Sequence, residues 1–249
     1  MIGITTSTDR RAAKRHRIGF DGLAGLLPAV LDTGVVLGVA AGRGRQICQF
    51  FDLRGPTSAV AVGPLELGQH IVFRTLGLGA VVTVRTTRPR AWGQLATAVN
   101  LPRDLLAILP AAGQVSGQGT ASRPHLVVDD AADRPAGPSG DGGSTASGRW
   151  QCDLWLVEDV SRAAVEAARA ADTVLVRPAG IPGAGPLAAA CGIDEPILPA
   201  DGRGDRDVAV FRGGAVRWLT LPESPVEAVP LRRASVPHLR AERRTEQDR

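Results

Sequence analysis

The sequence predicts an α/β fold: a mixed, mostly parallel sheet flanked by helices, ending in a C-terminal antiparallel β-hairpin. Three observations predict it. Apolar runs of strand length, such as AVVTVRT (80–86) and DTVLVRP (172–178), alternate with helical patterns, and that order favours parallel strands joined by crossovers. The helical stretches carry start and stop signals at their ends. Finally, DVAVFRGGAVRWLTL (207–221) sets two alternating apolar runs around Gly213 and Gly214, a two-residue turn able to take positive φ.

Taken in order, 34–40 and 47–53 are apolar runs joined by AGRGRQ, a hairpin or short strand pair, and AVAV (59–62) is a further short strand. In GPLELGQHIVFRTLGLG (63–79), Leu67, Ile71, Phe73 and Leu78 recur at roughly helical spacing, with Gly79 as the stop. The strand 80–86 follows. A second helix spans 87–100, with Thr87 as N-cap, Pro89 in the first turn and Trp92, Leu95, Ala96 and Val99 on one face. The stretch 111–149 is rich in Gly, Ser, Ala, Asp and Pro and reads as a flexible insertion in which only HLVVDD (125–130) looks structured. Order resumes with a strand at 151–159, a helix at 161–171 capped by Ser161, a strand at 172–178 and a short helix at 185–192 closed by Gly192. After the hairpin, VEAVPLR (226–232) is an edge-strand candidate, with Pro230 suited to an edge. The expected organisation is a basic arm (1–22), an α/β subdomain (23–110), the insertion (111–149), a second α/β subdomain ending in the hairpin (150–232) and a basic tail (233–249).

Composition narrows the function classes. At 249 residues and 44% hydrophobic the chain can bury a proper core, and with 4% aromatics and no Tyr that core is aliphatic. The net charge of +4 is concentrated in DRRAAKRHR (9–17) and RRASVPHLRAERR (232–244). Neither run is interleaved with aromatics, so nucleic acid is not an expected partner, whereas an anionic membrane surface would attract each such residue by about 1 kcal/mol. Cys48, Cys152 and Cys191 stand far apart with no CxxC pair, which argues against zinc and fits reduced thiols in a cytoplasmic protein. LAGLLPAVLDTGVVLGVAA (23–41) approaches a membrane span, but it contains Pro28 and Asp32, and a central Asp costs about 2.5–3.5 kcal/mol on insertion. No secretory signal and no transmembrane segment are expected.

Candidate chemistry is sparse. AAGRGRQICQFFD (40–52) begins as a dinucleotide loop would, with Gly42 and Gly44, but Ile47 stands at the third glycine and a strand-like run follows where a helix is required. A turn between strands is the plainer reading. A P-loop needs G-x-x-x-x-G-K, and Lys14, the only lysine, has no such loop before it. RPAGIPGAGPLAAACG (177–192) is better placed for an anion, between strand and helix, but Gly180, Gly183 and Gly185 lack the spacing. The acidic groups are Asp129, Asp130 and Asp133; Glu158 and Asp159; and Asp201, Asp205 and Asp207. Of these, DRD (205–207) has the D-x-D form used for metal-bound sugar nucleotides but begins a hairpin strand. Glu158 and Asp159 sit at a strand's C-terminal end, where α/β proteins keep active sites, and serve equally as an acidic helix cap. His16, His70, His125 and His238 are scattered, and no Ser or Cys has a nucleophile-elbow context. RRAS (232–235) has the shape of a kinase site. No catalytic, cofactor-binding or metal residue is assigned, and no cofactor.

Across 29–100 and 150–239 the arrangement resembles the C-terminal cytoplasmic domain of the EccE family, membrane components of the type VII (ESX) secretion system. The residues that carry it are GVVLGVAAGRGRQICQFFD, then VAVGPLELGQHIVFRTLGLGAVVTVRTTRPRAWGQLATAV, and VAVFRGGAVRWLTLPESPVEAVPLRR. The resemblance implies a non-enzymatic assembly component, peripheral to the cytoplasmic side of the inner membrane, whose partners are the secretion ATPase and its neighbours. Trp92 and Trp218 are contact candidates, although core positions suit both. Members of that family begin with two membrane-spanning helices, and none is expected here. The alternative is an enzyme or degenerate enzyme of nucleotide-sugar or dinucleotide-binding α/β type, glycosyltransferase-like, which fold alone does not establish.

Overall fold

A computed structural model of the protein describes residues 34–99, 102, 104–130, 148–177, 185–193, 204–224, 227, 228 and 231. The expected basic arm (1–22), the basic tail (233–249) and residues 131–147 of the expected insertion lie outside the described residues. Strands β1 (Val35–Ala40), β2 (Gly44–Cys48) and β3 (Thr57–Val62) lead into helix α1 (Leu65–Gly77), β4 (Val81–Thr86) and α2 (Pro89–Val99). Then come β5 (Leu106–Pro110), β6 (His125–Asp130), β7 (Gln151–Val157), α3 (Arg162–Ala170), β8 (Thr173–Val176), α4 (Gly185–Ala190), β9 (Asp207–Arg212) and β10 (Ala215–Thr220). All ten strands form one sheet in the order β2-β1-β10-β9-β8-β3-β7-β6-β4-β5. From β8 to β5 every neighbouring pair is parallel, and from β8 outward to β2 every pair is antiparallel. The predicted α/β class and closing hairpin are the observed ones. The stretches 23–110 and 150–232 share this sheet, because β3 is bonded to β7 on one side and β8 on the other.

Both faces of the parallel block are buried, so its strands read as apolar runs. In β3, Ala59 and Ala61 face one core, with Leu67, Ile71 and Val72 of α1 and Trp92 and Leu95 of α2. Val60 and Val62 face the other, with Ala167 and Ala168 of α3 and Leu187 and Ala188 of α4. The ends follow local chemistry. Ser161 Oγ accepts the Ala164 amide at 3.1 Å to cap α3, and Gly79 (φ 81) follows α1 with its amide on the Leu76 carbonyl at 2.9 Å. Gly213 and Gly214, at φ 56 and 72, make the turn between β9 and β10. Two expectations change. LAILP forms an edge strand, β5, in a stretch without a predicted element. In 226–232, Glu227, Ala228 and Leu231 are helical rather than extended; their buried residues Glu227 and Leu231 turn inward toward α1 and the core instead of extending the sheet. Among the described residues, no helix is long and apolar enough to cross a membrane.

Arg74 ties the C-terminal part of the chain to α1. Its guanidinium donates to both Glu227 carboxylate oxygens, at 2.5 and 3.1 Å, to the Pro222 carbonyl at 2.7 Å and to the Leu37 carbonyl. Glu227 also accepts the Ser224 amide at 2.8 Å. Burial alone would raise the Glu227 carboxyl, but the hydrogen bonds from Arg74 and Ser224 outweigh it and hold the group below its usual range. A depressed folded value stabilises the protein above the unfolded carboxyl range, and that contribution is lost as pH falls through the folded value. Glu227→Gln is therefore expected to flatten the acid side of the stability–pH curve below about pH 4. Arg74→Ala is expected to cost about 3–5 kcal/mol, since it leaves a buried carboxylate unpaired. Urea titrations across a pH series measure both.

Candidate functional site

In an open parallel sheet, ligands bind beyond the carboxyl ends of the strands, where the chain's direction of travel across the sheet reverses. That point lies at β3. From β3 the chain crosses to β4 on one side, and from β7 it crosses by way of α3 to β8 on the other. Reading along the carboxyl edge from β8 to β4 gives Arg177, Gly63, Glu158, Asp130 and Thr86, each the last residue of its strand or the next. Arg88 follows Thr86 by two residues and directly precedes α2.

Asp130 is the centre of this edge. Its side chain is 2% exposed. Oδ2 accepts from Thr86 Oγ1 at 2.8 Å and from Trp92 Nε1 at 2.7 Å; Arg88 donates Nε to both oxygens, at 3.0 and 3.1 Å, and Nη2 to Oδ1 at 2.5 Å. The remaining arm of the guanidinium, Nη1, donates to Glu158 Oε1 on the neighbouring strand end. Such charge-assisted, two-pronged pairing fixes Arg88 in one orientation. The hydrogen bond to Asp130 and then that to Glu158 push the Arg88 guanidinium above its ordinary value, against the opposing effect of burial.

Beside this network, β3 runs into α1 through two residues only, Gly63 and Pro64. Gly63 has φ 155, which favours glycine, and a Cβ there would sit tightly at 3.0 Å from the Arg177 Cβ and 3.3 Å from Leu67 Cδ2. Gly63 and Gly68 have the G-x-x-x-x-G spacing of a P-loop between a strand and a helix, with Gln69 and His70 where the motif carries Lys and Ser or Thr. Gln69 is 1% exposed and its amide nitrogen lies 3.3 Å from the Ala91 carbonyl. The Nδ1 atom of His70 is 2.8 Å from the Glu66 carbonyl, and burial holds its imidazole below the usual value. A Cβ on Gly68 would lie 2.4 Å from Leu156 Cδ1, so this glycine serves helix–strand packing.

No family model matches the chain, and no curated protein does. Among solved structures, it is similar to the genome packaging NTPase B204 from Sulfolobus turreted icosahedral virus 2, solved in complex with AMPPCP. The identity is 7%, the TM-score 0.43, and the match covers 67% of this chain and 98% of that one. It is also similar to a second solved structure, an ATPase domain, at 10% identity and TM-score 0.37, over 80% of this chain and 92% of that one. The expectation that the chain is not an enzyme runs against these likenesses, which are to an NTPase and an ATPase domain. The likeness concerns the fold alone, and residue roles rest on the geometry above.

The other sequence candidates fall elsewhere. Gly42 and Gly44, at φ 72 and 70, flank the β1–β2 turn. Gly180 and Gly183 lie outside the described residues, as do Asp133, Asp201, His16, His238 and 232–235. Gly185 opens the six-residue α4. Within DRD, Asp207 accepts the Gly204 amide at 3.0 Å and the Thr220 hydroxyl at 2.7 Å, which makes it a turn residue. Asp129 points to the face opposite Asp130 and accepts from Arg85 at 2.8 Å. His125 shares a 2.9 Å hydrogen bond with Thr83. Burial pushes the Cys152 thiol up to about 12 and those of Cys48 and Cys191 up to about 11, so all three stay protonated. Trp92 is fully buried and Trp218 half-buried. The residues that sequence reading missed are Gly63, Gly68 and Arg88. The signal for the glycines was the GxxxxG spacing after AVAV, passed over because the motif was sought at its lysine.

Asp130→Asn is expected to lower stability by about 1–3 kcal/mol, since it weakens the charge-assisted hydrogen bonds that Arg88, Trp92 and Thr86 make to the buried carboxylate. Glu158→Gln, with its side chain 55% exposed, is expected to change it by less than about 1 kcal/mol. Urea unfolding of the two variants reads the difference.

Proposed function

We propose that this chain is a nucleotide-binding domain of the NTPase type, which takes the phosphates of a nucleotide at the carboxyl edge of the parallel block, between Gly63 and the Arg88–Asp130–Glu158 network. One observation carries the reading: a strand–GxxxxG–helix unit and an apolar strand ending in Asp129–Asp130 lie on the same edge of one sheet, one strand apart. In P-loop enzymes the corresponding strand end supplies an aspartate to the phosphate site.

The cationic chemistry here comes from arginine. Arg177 borders Gly63 on one side, its amide on the Val62 carbonyl at 2.9 Å, and Arg88 leans across from the other as far as Glu158. Guanidinium suits phosphate recognition because its planar donors meet two oxygens at once. With no lysine at the motif's position and only two residues between β3 and α1, charge for a phosphate would come from Arg177, whose guanidinium donates to the Asp205 backbone carbonyl, while the charge of Arg88 is already met by Asp130 and Glu158. No assembly role is proposed.

Thermal shift with ATP, GTP, UDP-sugars and NAD tests the reading. A ligand at one hundred times its Kd stabilises by about 2.7 kcal/mol. Stabilisation by ATP or GTP is expected, weakened about tenfold in affinity by Arg177→Ala. A response to UDP-sugars or NAD alone would assign the site to a nucleotide-sugar or dinucleotide, and no response to any of the four would end the proposal.

A further inference from the structure

An NTPase architecture implies a magnesium ion beside the phosphates, held by the Ser or Thr of the P-loop and by a strand-end aspartate. The residues present do not fit that ion. A hard divalent cation needs oxygen ligands with lone pairs to offer. Asp130, the buried carboxylate at this strand end, has both oxygens engaged by Arg88, Trp92 and Thr86. Thr86 Oγ1 is itself committed, donating to Asp130 and accepting the Arg88 amide at 2.9 Å. His70 stands where the motif's hydroxyl would be, with one ring nitrogen on the Glu66 carbonyl.

What lies between the two carboxylates is a guanidinium. It touches Asp130 through two nitrogens and Glu158 through the third, bridging the ends of β6 and β7 as a bound cation would. Its placement is built rather than incidental. The Arg88 backbone is pinned by Thr86 at the mouth of α2, and Trp92, one turn into that helix, holds the far carboxylate oxygen. A surface arginine pairing with whatever is near would have none of these supports.

We propose that Arg88 is the resident cation of this site, standing where a domain of this architecture places its divalent metal, so that the site works without one. Resting further on the nucleotide reading, the proposal makes phosphate binding independent of magnesium.

The test has an arm that needs no nucleotide. Mn²⁺ binding to the full chain is followed by electron paramagnetic resonance and thermal shift, for the wild type and for Arg88→Met and Arg88→Gln. The wild type is expected to hold no Mn²⁺ that Asp130→Asn releases. Either neutral variant is expected to bind Mn²⁺ at least about tenfold more tightly than the wild type, and to lose that gain with Glu158→Gln, since the two carboxylates are then free to ligate. Wild-type Mn²⁺ binding that depends on Asp130, or folded variants that gain none, would overturn the proposal. Should both variants fail to fold, the wild-type measurement decides alone. In the second arm, ATP affinity is compared in Mg²⁺ and in EDTA. Values within about twofold are expected, and a tenfold or greater loss in EDTA would overturn it. If ATP binds in neither condition while the neutral variants gain Mn²⁺, the nucleotide reading fails and the resident cation stands.

Discussion

The structure depends on a carboxylate buried at the end of a parallel strand. Taking an aspartate out of water costs several kcal/mol, and the cost is recovered only when geometry and hydrogen bonds are both favourable. Asp130 has that environment because three elements converge on it: Thr86 closes β4, Arg88 bridges to α2, and Trp92 reaches in from the first turn of that helix. The ion pair therefore fixes the start of α2 against the carboxyl edge. It also orders the edge itself, since the same guanidinium fastens Glu158 at the end of β7. Remove the carboxylate and the placement of a helix, a strand end and a surface loop loses its common anchor.

A second constraint comes from the close approach of α1 to the sheet. Gly68 lets the helix backbone settle on Leu156 of β7, with no room for a Cβ. A helix seated that deeply, and begun at Leu65, leaves only Gly63 and Pro64 to cover the distance from β3. The tightness of the β3–α1 connection is thus a packing consequence. Once Gln69 is 1% exposed and bonded toward α2, a lysine at that position would bury its charge instead of presenting it.

Much of the fold was legible in the sequence, and for physical reasons. Parallel strands buried on both faces leave continuous apolar runs, so β3, β4 and β8 stood out, and Ser161, Gly79 and Gly213–Gly214 marked their turns and caps through local chemistry. β5 was missed because LAILP sits at a sheet edge, half-buried, where little hydrophobic contrast develops. The stretch 226–232 misled because Glu227 looks like an exposed residue of an edge strand, and only its pairing with Arg74, far away in sequence, accounts for its burial. The site was less legible than the fold. Asp130 and Glu158 were noticed as acids, but their meaning depends on strand order, which places the ends of β6 and β7 side by side. Arg88 read as one more arginine in a chain with a single lysine, and nothing local announced that its partners lay 42 and 70 residues downstream.

The two carboxylates at the end of β6 show how alternation assigns roles. Neighbouring residues of a strand point to opposite faces. Asp130 shares its face with Leu126 and Val128, beneath α1 and α2, and there meets Trp92. Asp129 takes the other face and pairs with Arg85 of β4, whose own neighbour Thr86 points back toward Asp130. The sheet therefore carries an arginine–aspartate pair on each side at one level, joining the same two strands. Only the pair under α2 involves an arginine beyond the strand, free of the ladder and able to reach the next strand end. That difference in tether, one residue inside β4 and one just past it, separates an ion pair confined to two strands from one that also fastens the end of β7.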